Sequence, residues 1–524
     1  MGTNSGTSLR YMTSAQSVQR KVSSQTFNNC LVTALVLAIA LVAYVGTDRW
    51  FSVLEDETMI VNAARVPIGD TVRLFWNDQG PLAHPPLSDI LLHLWLPIGG
   101  AAQWSLRLLP VLFYFGGLLV FALVARDIGG ASAFRSLLAL GLLWPFGFHF
   151  GRLVGWYSVC FCLVALVTLT YLRYVKRQTG LRLAVFLLPA LCLIYCNYYG
   201  WAVIGCLAID LYVRSGWTQS RKFLLITFAT LFLAYTPMWI GLVRTSIVFA
   251  RPGGGPHLTS TFLLAAYHLY SLFISESVAP WFWYFSVPAC ICIAISILLA
   301  VMLNVAERRF MIYFSLLFAG IALLGIGTTK RLLFISGWLL LAFALALSNR
   351  EKRTARNILI VALTFIAAIG WIGTVTRRYY AAPHFIEPWG KIADQAAVEL
   401  GDGAEIVTNS PSFRFYLQYS LQRTGVVSRS SLPGWVEHRN VIYVGDWEEA
   451  QHPRGSVLFV KGVNTNLVDQ TERVEEWLRH NCVTGFEQQL VPDSGSALKR
   501  RLFSDKSQPP FRISLEQFDC SGSI

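Results

Sequence analysis

Three acids in a row, Glu55-Asp56-Glu57, follow closely on the first apolar run of the chain. Trp76-Asn77-Asp78 and then His84-Pro85-Pro86-Leu87 come next. A hydroxyl is a poor nucleophile and must lose its proton as it attacks, so a carboxylate within hydrogen-bond reach can act as its base. Far along the chain, Arg152, Lys330 and Arg331 stand between apolar runs. Cations in such places can grip a phosphate and stabilise its charge as it leaves. Two ordinary readings compete. Acids in the first turn of a helix are favoured by its dipole, and a loop arginine can anchor to lipid headgroups while its stem lies along apolar surface.

The elements that must position these residues are membrane helices. Of 524 residues, 54% are hydrophobic and 14% charged, against about 25% charged in soluble domains. That balance excludes a single soluble domain, a disordered chain, a coiled coil and a collagen. Spans are expected at 30–47, 108–125, 136–150, 155–172, 183–197, 199–213, 223–243, 282–303, 310–327, 332–348 and 357–376, about eleven in all. With a cytoplasmic N-terminus, the inside loops collect Arg126, Arg135, Arg173, Lys176, Arg177, Arg182, Arg214, Arg221, Lys222, Arg308, Arg309, Arg350, Lys352, Arg353 and Arg356. The short outside loops keep Arg152, Arg244, Arg251, Lys330 and Arg331, a positive-inside pattern. The net charge of +13 is thus topological, and no basic stripe suggests nucleic acid.

The expected fold is a polytopic α-helical membrane protein. Residues 1–29 form a cytoplasmic tail, 30–376 the transmembrane part with a long outside loop at 48–107, 377–384 a linker, and 385–524 an extracytoplasmic α/β domain. In the outside loop, Leu87, Ile90, Leu91 and Leu94 recur at helical spacing behind Pro85-Pro86, which predicts a short interfacial helix. The stretch 261–274 is expected to be interfacial or re-entrant, with His268 and Glu276 unassigned beside it. Beyond 385, helical patterns (Pro388 to Leu400, Asn466 to Leu478) alternate with short apolar runs (Glu405 to Val407, Val441 to Val444, Ser456 to Val460), which predicts α/β structure. No phosphate-cradling glycine loop opens that region, so no catalytic role is expected of it. Its Cys482 and Cys520 are expected to pair in an oxidising compartment.

The order of motifs is more specific than any one of them. Asp56-Glu57, His84-Pro85-Pro86-Leu87 and Ser105-Leu106-Arg107-Leu108-Leu109-Pro110 resemble the start of the C-type superfamily of integral-membrane glycosyltransferases. The nearest look-alikes are the protein O-mannosyltransferases and the lipid A aminoarabinose transferases. Gly151 to Tyr157, Cys196-Asn197-Tyr198-Tyr199-Gly200 and Thr329-Lys330-Arg331-Leu332 resemble later family segments, with Asn197 where His is common and no Tyr in the last.

The resemblance implies an inverting transfer of a sugar from a polyprenyl-phosphate carrier to a hydroxyl of a lipid, glycan or protein acceptor, outside the cytoplasm at the inner (plasma) membrane. It implies Asp56 as base and Glu57 as its runner-up or orienting neighbour. Arg152, Lys330 and Arg331 would serve the carrier phosphate; Arg107 would join them or pair with a loop acid, His84 would contact the phosphate or position the loop, and Tyr157, Asn197 and Tyr198 would line the sugar pocket. No metal and no cofactor is expected. A transporter or flippase of a lipid-linked sugar is the main alternative. It would favour charges deep in helices and repeated halves, but Asp210 is the one obvious acid inside an expected span and no repeat is evident.

Overall fold

The computed structural model describes residues 32–47, 51, 55–77, 84–100, 102–243, 258–304, 307–323, 329–380, 389–401, 403–424, 440–447, 453, 455–462, 468–491 and 513–522. The chain forms two compact units, Met1–Asp48 and Arg49–Ile524. The described part of the first is one apolar helix, α1 (Val32–Gly46).

The second unit is mostly helical. Three short helices come first: α2 (Glu55–Ala63), α3 (Ile68–Asn77) and α4 (Leu87–Gly99). There follow α5 (Gln103–Leu143), α6 (Pro145–Phe150), α7 (Trp156–Lys176), α8 (Gly180–Cys196), α9 (Gly200–Ala234), α10 (Leu258–Ile274), α11 (Trp283–Leu303), α12 (Arg309–Leu323), α13 (Leu333–Ser348) and α14 (Arg353–Thr376). Glycines break the two longest helices: Gly130 in α5 has φ 74° and Gly216 in α9 has φ 69°. Side chains resist that left-handed backbone, so each helix breaks in the polar stretch expected between spans.

Five helices are long and apolar enough to cross a membrane, or six if the bent pair Ser220–Ala234 and Thr236–Val243 is one span. Other segments expected to cross fall on shorter apolar helices, including Val32–Gly46, Gly180–Cys196 and Arg309–Ala322. α13 is apolar on every side, as a central helix must be, and is buried from Leu333 to Ala346. It packs on α5 and α7, and its Trp338 indole donates to the Thr168 hydroxyl at 2.9 Å. The in-span acid Asp210 is paired, as the cost of a lone buried charge requires. It accepts from Tyr171 at 2.6 Å and Arg214 at 2.9 Å, with Arg309 at 3.7 Å, joining α7, α9 and α12.

The C-terminal region builds α15 (Trp389–Gly401), β1 (Glu405–Thr408), α16 (Pro411–Thr424), β2 (Val441–Tyr443), β3 (Ser456–Lys461), α17 (Val468–Asn481), β4 (Val483–Val491) and β5 (Ile513–Asp519). The sheet order is β2-β1-β3-β5-β4. β2, β1 and β3 run parallel, while β5 is antiparallel to both β3 and β4. Along α15, Trp389, Ile392, Ala393, Ala396, Ala397 and Leu400 recur at helical spacing and form one core with Phe413, Leu417 and Leu421 of α16. Val407, Phe459, Val474 and Leu478 belong to a second core. The sheet is thus covered on both faces, as parallel strands need. Cys482 and Cys520 are disulfide-bonded, matching the pairing expected from their placement.

Candidate functional site

The acidic helix α2 is held by its own second acid. One oxygen of Glu57 accepts from Arg107 Nη2 at 3.0 Å, and the other accepts the Val154 N–H at 2.8 Å. Both side chains are nearly fully buried, so the pair lies in a low-dielectric setting where a lost partner is costly. Arg107 also donates to the Phe51 carbonyl at 3.0 Å. Both Glu57 oxygens are thus engaged within the fold, one of them by Arg107. The Asp56 backbone lies in α2, but its side chain is outside the described residues.

The Gly151–Tyr157 segment carries two things at once. Arg152 is buried, with its Nε donating to the Phe148 carbonyl at 2.9 Å. Its guanidinium lies 4.0 Å from the centroid of the Phe148 ring and 4.9 Å from that of Phe51. His149 stacks edge-on to Phe51, with ring centroids 4.5 Å apart, and faces Tyr380 at 5.6 Å. Gly155, at φ 141°, sits where a Cβ would come within 2.9 Å of Ile60 of α2. Only glycine suits both that backbone and that approach. Immediately after it, Trp156 and Tyr157 open α7.

Tyr157 faces the second group of cations. Lys330 Nζ is 5.7 Å from the Tyr157 ring centroid. Lys330 and Arg331 are half-buried on the 3-10 turn Thr329–Leu332, which leads into α13. Tyr198 interacts electrostatically with Arg331, Tyr157 and Tyr199. Burial pushes its phenol well above its usual value, and Arg331 opposes the shift. Asn197 is buried and accepts the Tyr199 N–H at 3.0 Å, capping the turn between α8 and α9. His84 is buried, with its ring 6.5 Å from Trp156 and Nδ1 3.2 Å from the Pro85 carbonyl oxygen.

Sequence reasoning left two buried carboxylates without a role. Asp89, in the first turn of α4, has its carboxyl raised by burial, with His84 and the Ser88 hydroxyl opposing. Glu276 follows α10 in left-handed backbone (φ 54°), as does Ser275 (φ 72°). Burial raises the Glu276 carboxyl, while hydrogen bonds with Thr329 and Tyr267 and the charge on Lys330 lower it. His268 Nδ1 is 3.0 Å from the same Thr329 hydroxyl. Two successive non-glycine residues at positive φ are the conformational mark of this site, and a sequence does not display φ.

The structure thus groups Glu57 with Arg107 and joins Arg152 to that group through Phe51. It places Tyr157 and Tyr198 beside Lys330 and Arg331. Val154 to Tyr157 connects the two groups. Among the described residues, no cluster of three or more His, Cys, Asp or Glu side chains could hold a metal ion.

No protein-family model and no curated protein matches the chain. Solved structures do. ArnT from Cupriavidus metallidurans in the apo state superposes with TM-score 0.56 at 14% identity, over 93% of this chain and 98% of that one. The chain has the fold of ArnT. The structure of ArnT bound to undecaprenyl phosphate gives TM-score 0.52 at 14% identity, over 92% and 97% of the two chains. The mycobacterial arabinofuranosyltransferase AftD gives TM-score 0.44 at 12% identity, over 93% of this chain and 40% of its own. The fold expected from motif order is thus the one the chain shares with ArnT.

Proposed function

We propose that the chain transfers a sugar from a polyprenyl-phosphate carrier to an acceptor hydroxyl, at the outer face of the inner membrane. The observation that carries this reading is the paired cations Lys330 and Arg331, half-buried on one turn and walled by Tyr157 and Tyr198. They are linked through Val154–Tyr157 to the helix bearing Asp56 and Glu57. The ArnT fold, one structure of which holds undecaprenyl phosphate, supports the same donor class.

In this reading the acceptor oxygen attacks the anomeric carbon and gives its proton to Asp56. The bond from that carbon to the phosphate oxygen breaks, and its electron pair leaves with the phosphate. Lys330 and Arg331 neutralise the charge that develops there, so no proton need be supplied to the leaving group. A single displacement inverts the configuration. Glu57, tied to Arg107 and Val154, fixes the helix and leaves the neighbouring acid to act. An apolar cavity of about 360 Å³ between α5, α13 and α14 begins at Trp144 and Pro145, at the foot of α6, and suits the carrier's hydrocarbon chain. The lipid-phosphate sugar is a substrate, and no cofactor is part of the scheme.

The test is purified protein in lipid nanodiscs with a polyprenyl-phosphate sugar and candidate acceptors. Wild type should release free polyprenyl phosphate with formation of a glycoside, and Asp56→Asn should bind the carrier yet fail to transfer. Movement of the intact lipid-linked sugar across a vesicle, with its sugar–phosphate bond unbroken, would favour a flippase instead.

A further inference from the structure

The α/β region has no catalytic motif, yet it is built against the acidic helix. α16 carries apolar residues on two faces. Phe413, Leu417 and Leu421 recur every four residues and pack toward the sheet. Phe415 points elsewhere: it is buried among Ile60 and Val61 of α2, Ala64 just after it, Leu92 of α4, Leu106 of α5 and Val154. Its neighbour Tyr416 packs against both clusters, bridging the sheet core and the α2 core.

Tyr416 also begins a polar chain. Its hydroxyl donates to Gln103 Oε1 at 3.0 Å. Gln103 Nε2 donates to the Phe51 carbonyl at 2.9 Å. Arg107 Nη1 donates to the same carbonyl at 3.0 Å, and its Nη2 reaches Glu57 at 3.0 Å. The Phe51 ring lies 4.9 Å from the Arg152 guanidinium. These contacts join a residue 313 positions from Gln103 to the carboxylate that locks α2 and to the buried arginine.

We propose that Tyr416 is a positioning residue. From the α/β region it acts through Gln103 and the Phe51 carbonyl to set α2 against Arg107, and with it the reach of Asp56 to the acceptor. The inference rests on the transferase reading above. The chain of bonds can act this way because each link is short and each partner is at least half-buried, so water replaces a lost bond poorly. Phe415 supplies the apolar half of the same clamp.

Full-length protein in nanodiscs tests this with Tyr416→Phe, which removes one oxygen and keeps the ring. Ser420→Ala, on the same helix but bonded to Asp394, is the control. Hydrogen exchange over residues 55–63 should speed up in Tyr416→Phe and not in Ser420→Ala. The turnover number should fall about fivefold with the KM for the lipid donor unchanged, the size expected for one neutral hydrogen bond. In a Gln103→Leu background, Tyr416→Phe should have no further effect, because the bond it removes is already gone. Unchanged exchange in α2, unchanged turnover, or a fivefold loss that persists in the Gln103→Leu background would overturn the proposal. If wild-type protein transfers no sugar, the transferase reading fails, and the exchange arm still decides whether the clamp holds.

Discussion

Glu57 and Arg107 form a buried ion pair at 3.0 Å, although fifty residues separate them in the chain. The pair ties the short acidic helix α2 to the first turn of the long helix α5. It engages one Glu57 oxygen, and the Val154 N–H at 2.8 Å engages the other. Breaking such a pair from one side leaves an uncompensated charge away from water. Arg107→Met should therefore destabilise the protein by about 3–5 kcal/mol. Glu57→Gln, which keeps an acceptor for the Val154 N–H but leaves the Arg107 charge uncompensated, should cost a similar amount. Thermal unfolding of the detergent-solubilised variants checks both losses; a melting temperature at the wild-type value for either variant would contradict the buried pair.

Gly155 gives a second prediction. Its φ of 141° strains any side chain, and the Ile60 Cδ1 atom, 2.9 Å from the point a Cβ would occupy, would have to shift. Gly155→Ala should lower stability by about 1–3 kcal/mol through strained backbone and a displaced α2. Ile60→Val in the same chain should recover part of that loss, because it shortens the opposing side chain. Melting curves of the single and double variants measure both effects.

A third prediction concerns the cations. If Lys330 and Arg331 hold a lipid phosphate, Lys330→Gln should weaken binding of polyprenyl phosphate about tenfold or more, the scale of a charge-assisted hydrogen bond. Binding should weaken as ionic strength rises, since the site is half-open to solvent. Titration of the purified variants with polyprenyl phosphate reads the affinity directly. An unchanged dissociation constant would remove these residues from the donor site.

Glu276 predicts a pH dependence. Burial holds its carboxyl above the ordinary glutamate value, against the pull of Thr329, Tyr267 and Lys330. The fold thus favours the protonated form. That contribution is fully present below the unfolded value and is lost as pH rises through the folded one. Glu276→Gln, uncharged throughout, should gain in melting temperature relative to wild type as pH rises above the ordinary carboxylate range. A difference that stays flat with pH would contradict the buried, raised carboxyl.

Patterns along the chain exposed the elements whose signal is local. The Trp389–Leu400 face, the Ser456–Val460 run and the helix behind Pro85-Pro86 are periodic in the sequence and appear as α15, β3 and α4. Cys482 and Cys520 were legible because composition placed both in one polar region. β4 and β5 were not legible: Val483–Val491 mixes polar and apolar residues, and β5 begins beside a stretch outside the described residues. α16 stayed hidden because its two apolar faces serve two different cores, which blurs a single stripe. In the site, motif order marked Arg152, Tyr157, Lys330 and Arg331. Proximity alone shows that Glu57 spends its oxygens on Arg107 and Val154, that Asn197 caps a turn, and that Glu276 and His268 flank Thr329. Most of those relations join residues tens of positions apart, and no short window along a chain contains them.

In the proposed reaction the acid next to Glu57 takes the acceptor proton while Lys330 and Arg331 receive the departing phosphate. The most direct measurement is single-turnover sugar transfer from a polyprenyl-phosphate donor by Asp56→Asn, with carrier binding measured on the same preparation. Binding should stay at the wild-type level while the transfer rate falls by about two orders of magnitude or more. Transfer at the wild-type rate would contradict it.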